Sequence, residues 1–93
     1  MILRDITRIA GDRNYSTFYL VNDKTKISSK TLGHFEEILS GNEFFRCHRS
    51  FILNRCHVDK MLTDAFLMKD GSKIPISRRR KAEARAWFIG DQA

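Results

Sequence analysis

One proline, two cysteines and no long apolar run already narrow what this 93-residue chain can be. Cys47 and Cys56 are too few for a disulfide scaffold, so reduced thiols are expected. No stretch approaches the ~18 apolar residues of a membrane-spanning helix, and no signal-peptide pattern is visible, which points to a cytoplasmic, soluble protein. Internal repeats and low-complexity linkers are missing too. GxSxG does not occur, and no Ser/His/acid set has a plausible framework, which argues against a hydrolase. A chain of this length forms one domain, residues 1–93, burying roughly 60–65% of its unfolded surface. Little interior is left for a deep catalytic cavity, and neither a cofactor nor a small-molecule substrate is expected.

What the chain does have is charge in one half. Residues 1–43 hold six basic and six acidic residues, whereas residues 44–93 hold eleven and five, so the second half carries the whole net charge of +6. Such a concentrated excess favours a polyanionic partner: nucleic acid first, an anionic membrane surface second. Membrane binding would need a basic amphipathic helix with large apolar residues opposite, and the last helix offers only Trp87 and Phe88.

Patterning predicts a mostly β chain of seven or eight short strands with one helix in the middle and one at the end. Asp5–Ala10 and Tyr15–Val21 read as strands around a turn at Gly11-Asp12-Arg13-Asn14, and Thr25–Ser28 as a hairpin partner. Ser28 or Ser29 is placed to cap a helix with Leu32, Phe35, Ile38 and Leu39 on one face, His34, Glu36 and Glu37 on the other, and Gly41 as its stop. Strands follow at Phe44–His48, Ser50–Asn54, Val58–Leu62, Asp64–Lys69 and Lys73–Ile76, the last two flanking the hairpin signal Asp70-Gly71. Pro75 cannot donate to a ladder, so its strand should lie at an edge. Ser77 is placed to cap a final helix, Arg78 to about Ile89, with Ala84, Trp87 and Phe88 inward and Gly90 at its end.

Two segments stand out chemically. Ser77-Arg78-Arg79-Arg80-Lys81 sets four cations at a helix start, against the macrodipole, a placement that a bound phosphate would explain. In Phe44–Asn54, FFRCHRSFILN, Phe45, Phe51 and Leu53 can face a core while Arg46, His48 and Arg49 stay polar, with Arg49-Ser50 at the join of two strands.

FFRCHRSFILN, then the Asp-Gly hairpin, then IPISRRR closely resembles the LytTR-type DNA-binding domain of LytR/AlgR response regulators. The matching positions are Phe45, Arg46, His48, Ser50, Phe51–Leu53 and Asn54, then Ile74, Pro75, Ile76, Ser77 and Arg78, and Ile9–Tyr15 is similar to the family's first strand-and-loop segment. The resemblance covers residues 5–89. It implies an elongated, multi-sheet β-sandwich of short strands that presents loops to successive major grooves of double-stranded DNA. Carried over by position, Arg49, Arg79 and the Asn14, Tyr15, Ser16 loop would contact bases. Arg46, His48, Ser50, Arg78, Arg80 and Lys81 would contact phosphates. It further implies transcription regulation in a bacterial two-component system, and a dimer on repeated half-sites. The family's usual N-terminal receiver domain does not fit in 93 residues.

Rival readings make separate demands. An RNA-binding β domain would expose Tyr15 and Tyr19 of YSTFYLV at a sheet centre. A metal-dependent nuclease would bring His48, Asn54 and His57 together, yet these lie within ten positions and lack a carboxylate cluster. Zinc would have to join Cys47-His48 to Cys56-His57, although neighbours on a strand point to opposite faces, and no metal site is expected.

Overall fold

Strands form where apolar residues alternate, and here they assemble into two antiparallel sheets, as described by a computed structural model for residues 2–39, 41 and 43–90. The elements in order are β1 (Ile6–Asp12), β2 (Tyr15–Leu20), β3 (Thr25–Ser28), α1 (Leu32–Ile38), β4 (Phe44–His48), β5 (Phe51–Asn54), β6 (Val58–Met61), β7 (Ala65–Met68), β8 (Lys73–Pro75) and α2 (Lys81–Ile89). Short 3-10 turns occupy Leu3–Asp5, Arg55–His57 and Arg78–Arg80. A five-stranded sheet runs β3-β2-β1-β5-β4, and a three-stranded sheet runs β6-β7-β8. Pro75 thus lies on an edge strand, as its missing donor requires.

The register shows which residues share a face. Phe18 pairs with Ile9, Ile9 with Ile52 and Ile52 with Arg46, one row across the larger sheet. Phe18, Ile9 and Ile52 pack with Ile6, Leu32 and Phe35 under α1. The alternate row, Tyr19–Arg8–Leu53–Phe45, faces the other way. There Leu53, Cys47, Phe45 and Phe51 meet Phe66, Met68 and Ile74 of the smaller sheet and Ala84, Trp87 and Phe88 of α2. Phe66 is fully buried at the centre, edge-on to Trp87 at 5.6 Å and to Phe88 at 5.7 Å. The larger sheet is therefore covered on both faces, within overall extents of 35 × 26 × 23 Å.

Polar pins complete the frame. Arg8 lies 4.1 Å over the Tyr19 ring and pairs with Asp70 at 3.3 Å, joining the larger sheet to the β7–β8 turn. Asn54 is buried; its amide nitrogen donates to the carbonyls of Ile6 (2.8 Å) and Leu3 (3.4 Å), and its oxygen accepts from the Cys56 amide.

Several expectations shift by a residue or a turn. Thr31, not Ser28 or Ser29, caps α1, accepting from the His34 amide at 3.3 Å. Ile38 is 60% exposed because α1 ends there, and Leu39 alone completes its apolar face. Gly41 lies beyond the helix end and has φ +135°. Glu36 does not point away but turns to Arg46. The arginines after Ser77 form a 3-10 turn ahead of α2, and the Ser77 side chain makes no cap bond.

Gly11 is required by close approach: a Cβ there would lie 2.9 Å from Leu32 Cβ. Gly11→Ala is expected to cost about 1–3 kcal/mol by overpacking, read from denaturant unfolding. Asp70 loses its proton more readily than a free carboxyl, foremost because the Ser72 amide donates to it, with Arg8 assisting. Folding favours the charged form, so this contribution is complete at neutral pH and fades as pH falls below about 4 through the lowered folded value. The Tm deficit of Asp70→Ala at pH 7 is accordingly expected to shrink in acid.

Candidate nucleic-acid interface

Three turns meet at one end of the larger sheet. Arg13-Asn14 closes the β1–β2 hairpin, with Arg13 in the left-handed region at φ +52°. Arg49-Ser50 closes β4–β5, and the Ser50 carbonyl accepts from the Gly11 amide at 2.8 Å, tying the first turn to the second. The Ser77 amide donates to the Cys47 carbonyl at 2.9 Å, and Arg80 Nη1 donates to the Arg46 carbonyl at 3.2 Å, fixing the third turn against β4. Ser77 thus anchors two residues before Arg49, roughly 7 Å along the strand. Between the first two turns and the start of α1 lies an open cleft of about 520 Å³, with Arg13, Arg46 and Arg49 in its wall.

The arginines at this end differ in their freedom. Arg49, Arg78 and Arg79 are exposed, and among the described residues neither Arg49 nor Arg79 has an ion-pair or hydrogen-bond partner for its guanidinium. Arg46 is committed: Nη1 donates to Glu36 Oε1 at 2.9 Å and Nη2 to the Arg49 carbonyl at 2.7 Å. Arg80 is half-buried and spent on the Arg46 carbonyl. Lys81 pairs with Asp64, whose carboxyl is held below its ordinary range first by that bond and then by the Lys81 charge.

The remaining side chains are equally distinct. His48 Nδ1 accepts from the Ser50 amide at 3.0 Å, shaping the β4–β5 turn from within. Asn14 is exposed at its turn tip. Tyr15 is 40% exposed and donates to Asp12 Oδ2 at 3.0 Å; that bond and the Asp12 charge push the phenol's pKa up. Ser16 is fully buried and donates to the Lys30 carbonyl at 2.9 Å, which leaves its hydroxyl no face for a base.

The family model of the LytTr DNA-binding domain matches residues 1–89. The chain belongs to the LytTr DNA-binding domain family. It is 38% identical over 73 residues to the sensory transduction protein LytT of Bacillus subtilis (strain 168), covering 73% of this chain and 29% of that protein. To LytR of Staphylococcus haemolyticus it is 29% identical over 79 residues, covering 80% of this chain and 30% of that protein. The chain thus spans less than a third of the length of these curated relatives. A solved LytTr DNA-binding domain from Bacillus cereus, described as part of a methyl-accepting/DNA response regulator, superposes with a TM-score of 0.84. At 23% identity, over 94% of this chain and 84% of that one, it shows the shared fold.

The LytTr family is one of DNA-binding domains, not of enzymes. Within this LytTr domain the residues demanded by the rival readings do not converge. Tyr19 lies under Arg8 and presents no open stacking platform. Asn54 is buried at one end of the β4–β5 pair, while His48 is at the other. His57 Nε2 bonds the Arg4 carbonyl at 2.7 Å. Among the described residues no helix is long and apolar enough to cross a membrane.

Sequence reasoning placed Arg13 in the first turn without giving it a role; its place beside Arg46 and Arg49 in the cleft wall appears only in the fold. It also missed the pairing of Glu36 with Arg46, ten positions apart on separate elements.

The two thiols should behave oppositely. Cys47 is fully buried, and burial pushes its pKa up to about 12, whereas Cys56 is exposed. Alkylation of the native domain at pH 8 is expected to modify Cys56 and to reach Cys47 on unfolding, measured by peptide mass spectrometry.

Proposed function

We propose that this LytTr domain binds duplex DNA sequence-specifically, as the effector part of a bacterial transcriptional regulator working in the cytoplasm. Arg49 and Arg79, on the turns, read base edges in the major groove, where a guanidinium can bond guanine O6 and N7 together. Asn14 and Tyr15 reach the neighbouring stretch of groove. Arg13 and Arg78 contact phosphates, with the Ser50 and His48 turn close to the backbone. One observation carries this reading: exposed guanidiniums without internal partners sit on turns that are hydrogen-bonded to each other or to β4 at one end of the larger sheet.

The family assignment and the net charge of +6 support the choice of partner. We leave Arg46, Arg80 and Lys81, expected at phosphates from their positions, out of the proposed set, since each holds an internal partner. Two copies would sit on repeated half-sites about one helical turn, or a small multiple, apart on the same side of the duplex.

The test is a duplex selected from random oligonucleotides by the wild-type domain, compared with its scrambled version. Affinity for both is expected to fall with salt, at a slope of about −0.9 per neutralised phosphate. Arg79→Ala or Arg49→Ala should cost about 1–3 kcal/mol on the selected duplex and relax preference at one base position. Arg78→Ala should weaken both duplexes alike and flatten the salt slope by about one unit. Salt-independent binding, or equal affinity for single-stranded RNA, would overturn the reading.

A further inference from the structure

We propose that Arg46 is a positioning residue that presets the Arg49 turn for base reading, and that it does not bind phosphate. The inference rests on the duplex-reading function above and names how one of its contacts is held in place.

Arg46 occupies the α1 face of β4, opposite Ile52, and its side chain is only 22% exposed. Its two guanidinium nitrogens point to different elements. Nη1 meets Glu36 of α1, and Nη2 meets the backbone carbonyl of Arg49. Its own carbonyl receives Arg80 from the third turn. One residue therefore touches the helix, the β4–β5 turn and the basic turn, joining the supports of Arg49 and Arg79.

The chemistry favours arginine for this task. A guanidinium is a planar fork of five N–H donors and can serve two acceptors in fixed directions, whereas a lysine ammonium is a point donor on a flexible stem. Both bonds of Arg46 are charge-assisted, the stronger class of hydrogen bond. Glu36 and the Arg49 carbonyl engage one N–H on each terminal nitrogen and so fix the direction of the fork.

The His48–Phe51 pairing of the β4–β5 ladder closes the turn. The Ser50 amide bonds His48 Nδ1, and the Ser50 carbonyl bonds the Gly11 amide, so these two bonds act on Ser50. Arg46 supplies the bond to Arg49 itself. A register shift between Arg46 and His48 bends β4 just before the turn, a device that re-aims the side chains beyond it. Base reading tolerates about half an ångström of misplacement, so a loosened Arg49 backbone should lose discrimination before it loses general affinity.

The experiment measures affinity for the selected and scrambled duplexes across a salt series, with Arg46→Lys made in the wild-type and Arg49→Ala backgrounds. Arg46→Lys is expected to lower the selected-to-scrambled ratio roughly tenfold, about the worth of one charge-assisted hydrogen bond, and to leave the salt slope unchanged. In the Arg49→Ala background the same change is expected to have no further effect on the ratio. Hydrogen exchange at the Ser50 amide should quicken, while the core amide of Ile52 keeps its protection. Glu36→Gln, which keeps the Arg46 charge and weakens its anchor, should lower the ratio several-fold; it carries the test if Arg46→Lys does not fold. An unchanged ratio, equal weakening of both duplexes, or full additivity with Arg49→Ala would overturn the positioning role. So would a salt slope flattened by about one unit in Arg46→Gln, the signature of a lost phosphate contact. A wild-type domain that does not separate the two duplexes overturns the duplex-reading function itself, and the positioning role with it.

Discussion

Ile52 and Leu53 are neighbours on β5, point to opposite faces of the larger sheet, and are each almost wholly buried. Ile52 anchors the core under α1, and Leu53 anchors the core shared with the smaller sheet and α2. Both cores are thus stitched through one short strand. β5 is also the strand that follows the Arg49 turn, so the position of that turn is tied to the packing of both faces at once. A loop mounted on a doubly buried strand has less freedom than one mounted on an edge, and that is what the proposed base reading would require of its support.

The charge distribution becomes intelligible on this frame. A net positive end could have been a diffuse basic surface. Instead the arginines divide into two groups by what their guanidiniums touch. Arg8, Arg46 and Arg80 are half-buried and bonded to protein groups, holding sheet to sheet, turn to helix and turn to strand. Arg49, Arg78 and Arg79 are exposed. The first group builds the platform, and the second is left available to a polyanion. Net charge alone does not separate the two groups, because it counts every guanidinium equally.

The acids follow the same division. Glu36 neutralises Arg46, Asp70 neutralises Arg8, and Asp64 neutralises Lys81. Each of these carboxylates sits on a different element from its partner, so each ties separate parts of the chain together. Surface pairs of this kind add little stability individually, typically below 1 kcal/mol. Their larger effect here is geometric, since they fix where a cationic head group points.

Much of this was legible in the residues themselves. Alternation in YSTFYLV and FFRCH, the Asp70-Gly71 turn and the lone proline determined the strands and the edge position of β8, because these signals are local and β geometry repeats every two residues. The apolar spacing around Leu32 and Ala84 likewise determined two helices and most of their inward faces. The family motif located the basic turns. What tertiary structure alone decided is the role of each polar side chain. Ser16 became buried because β3 leads to a carbonyl above it, Thr31 displaced the serines as cap, and Arg46 was drawn inward by a carboxylate ten positions away. Such partners come from elements that meet only after folding, and the direction of a long charged side chain is set by whichever acceptor then lies within reach.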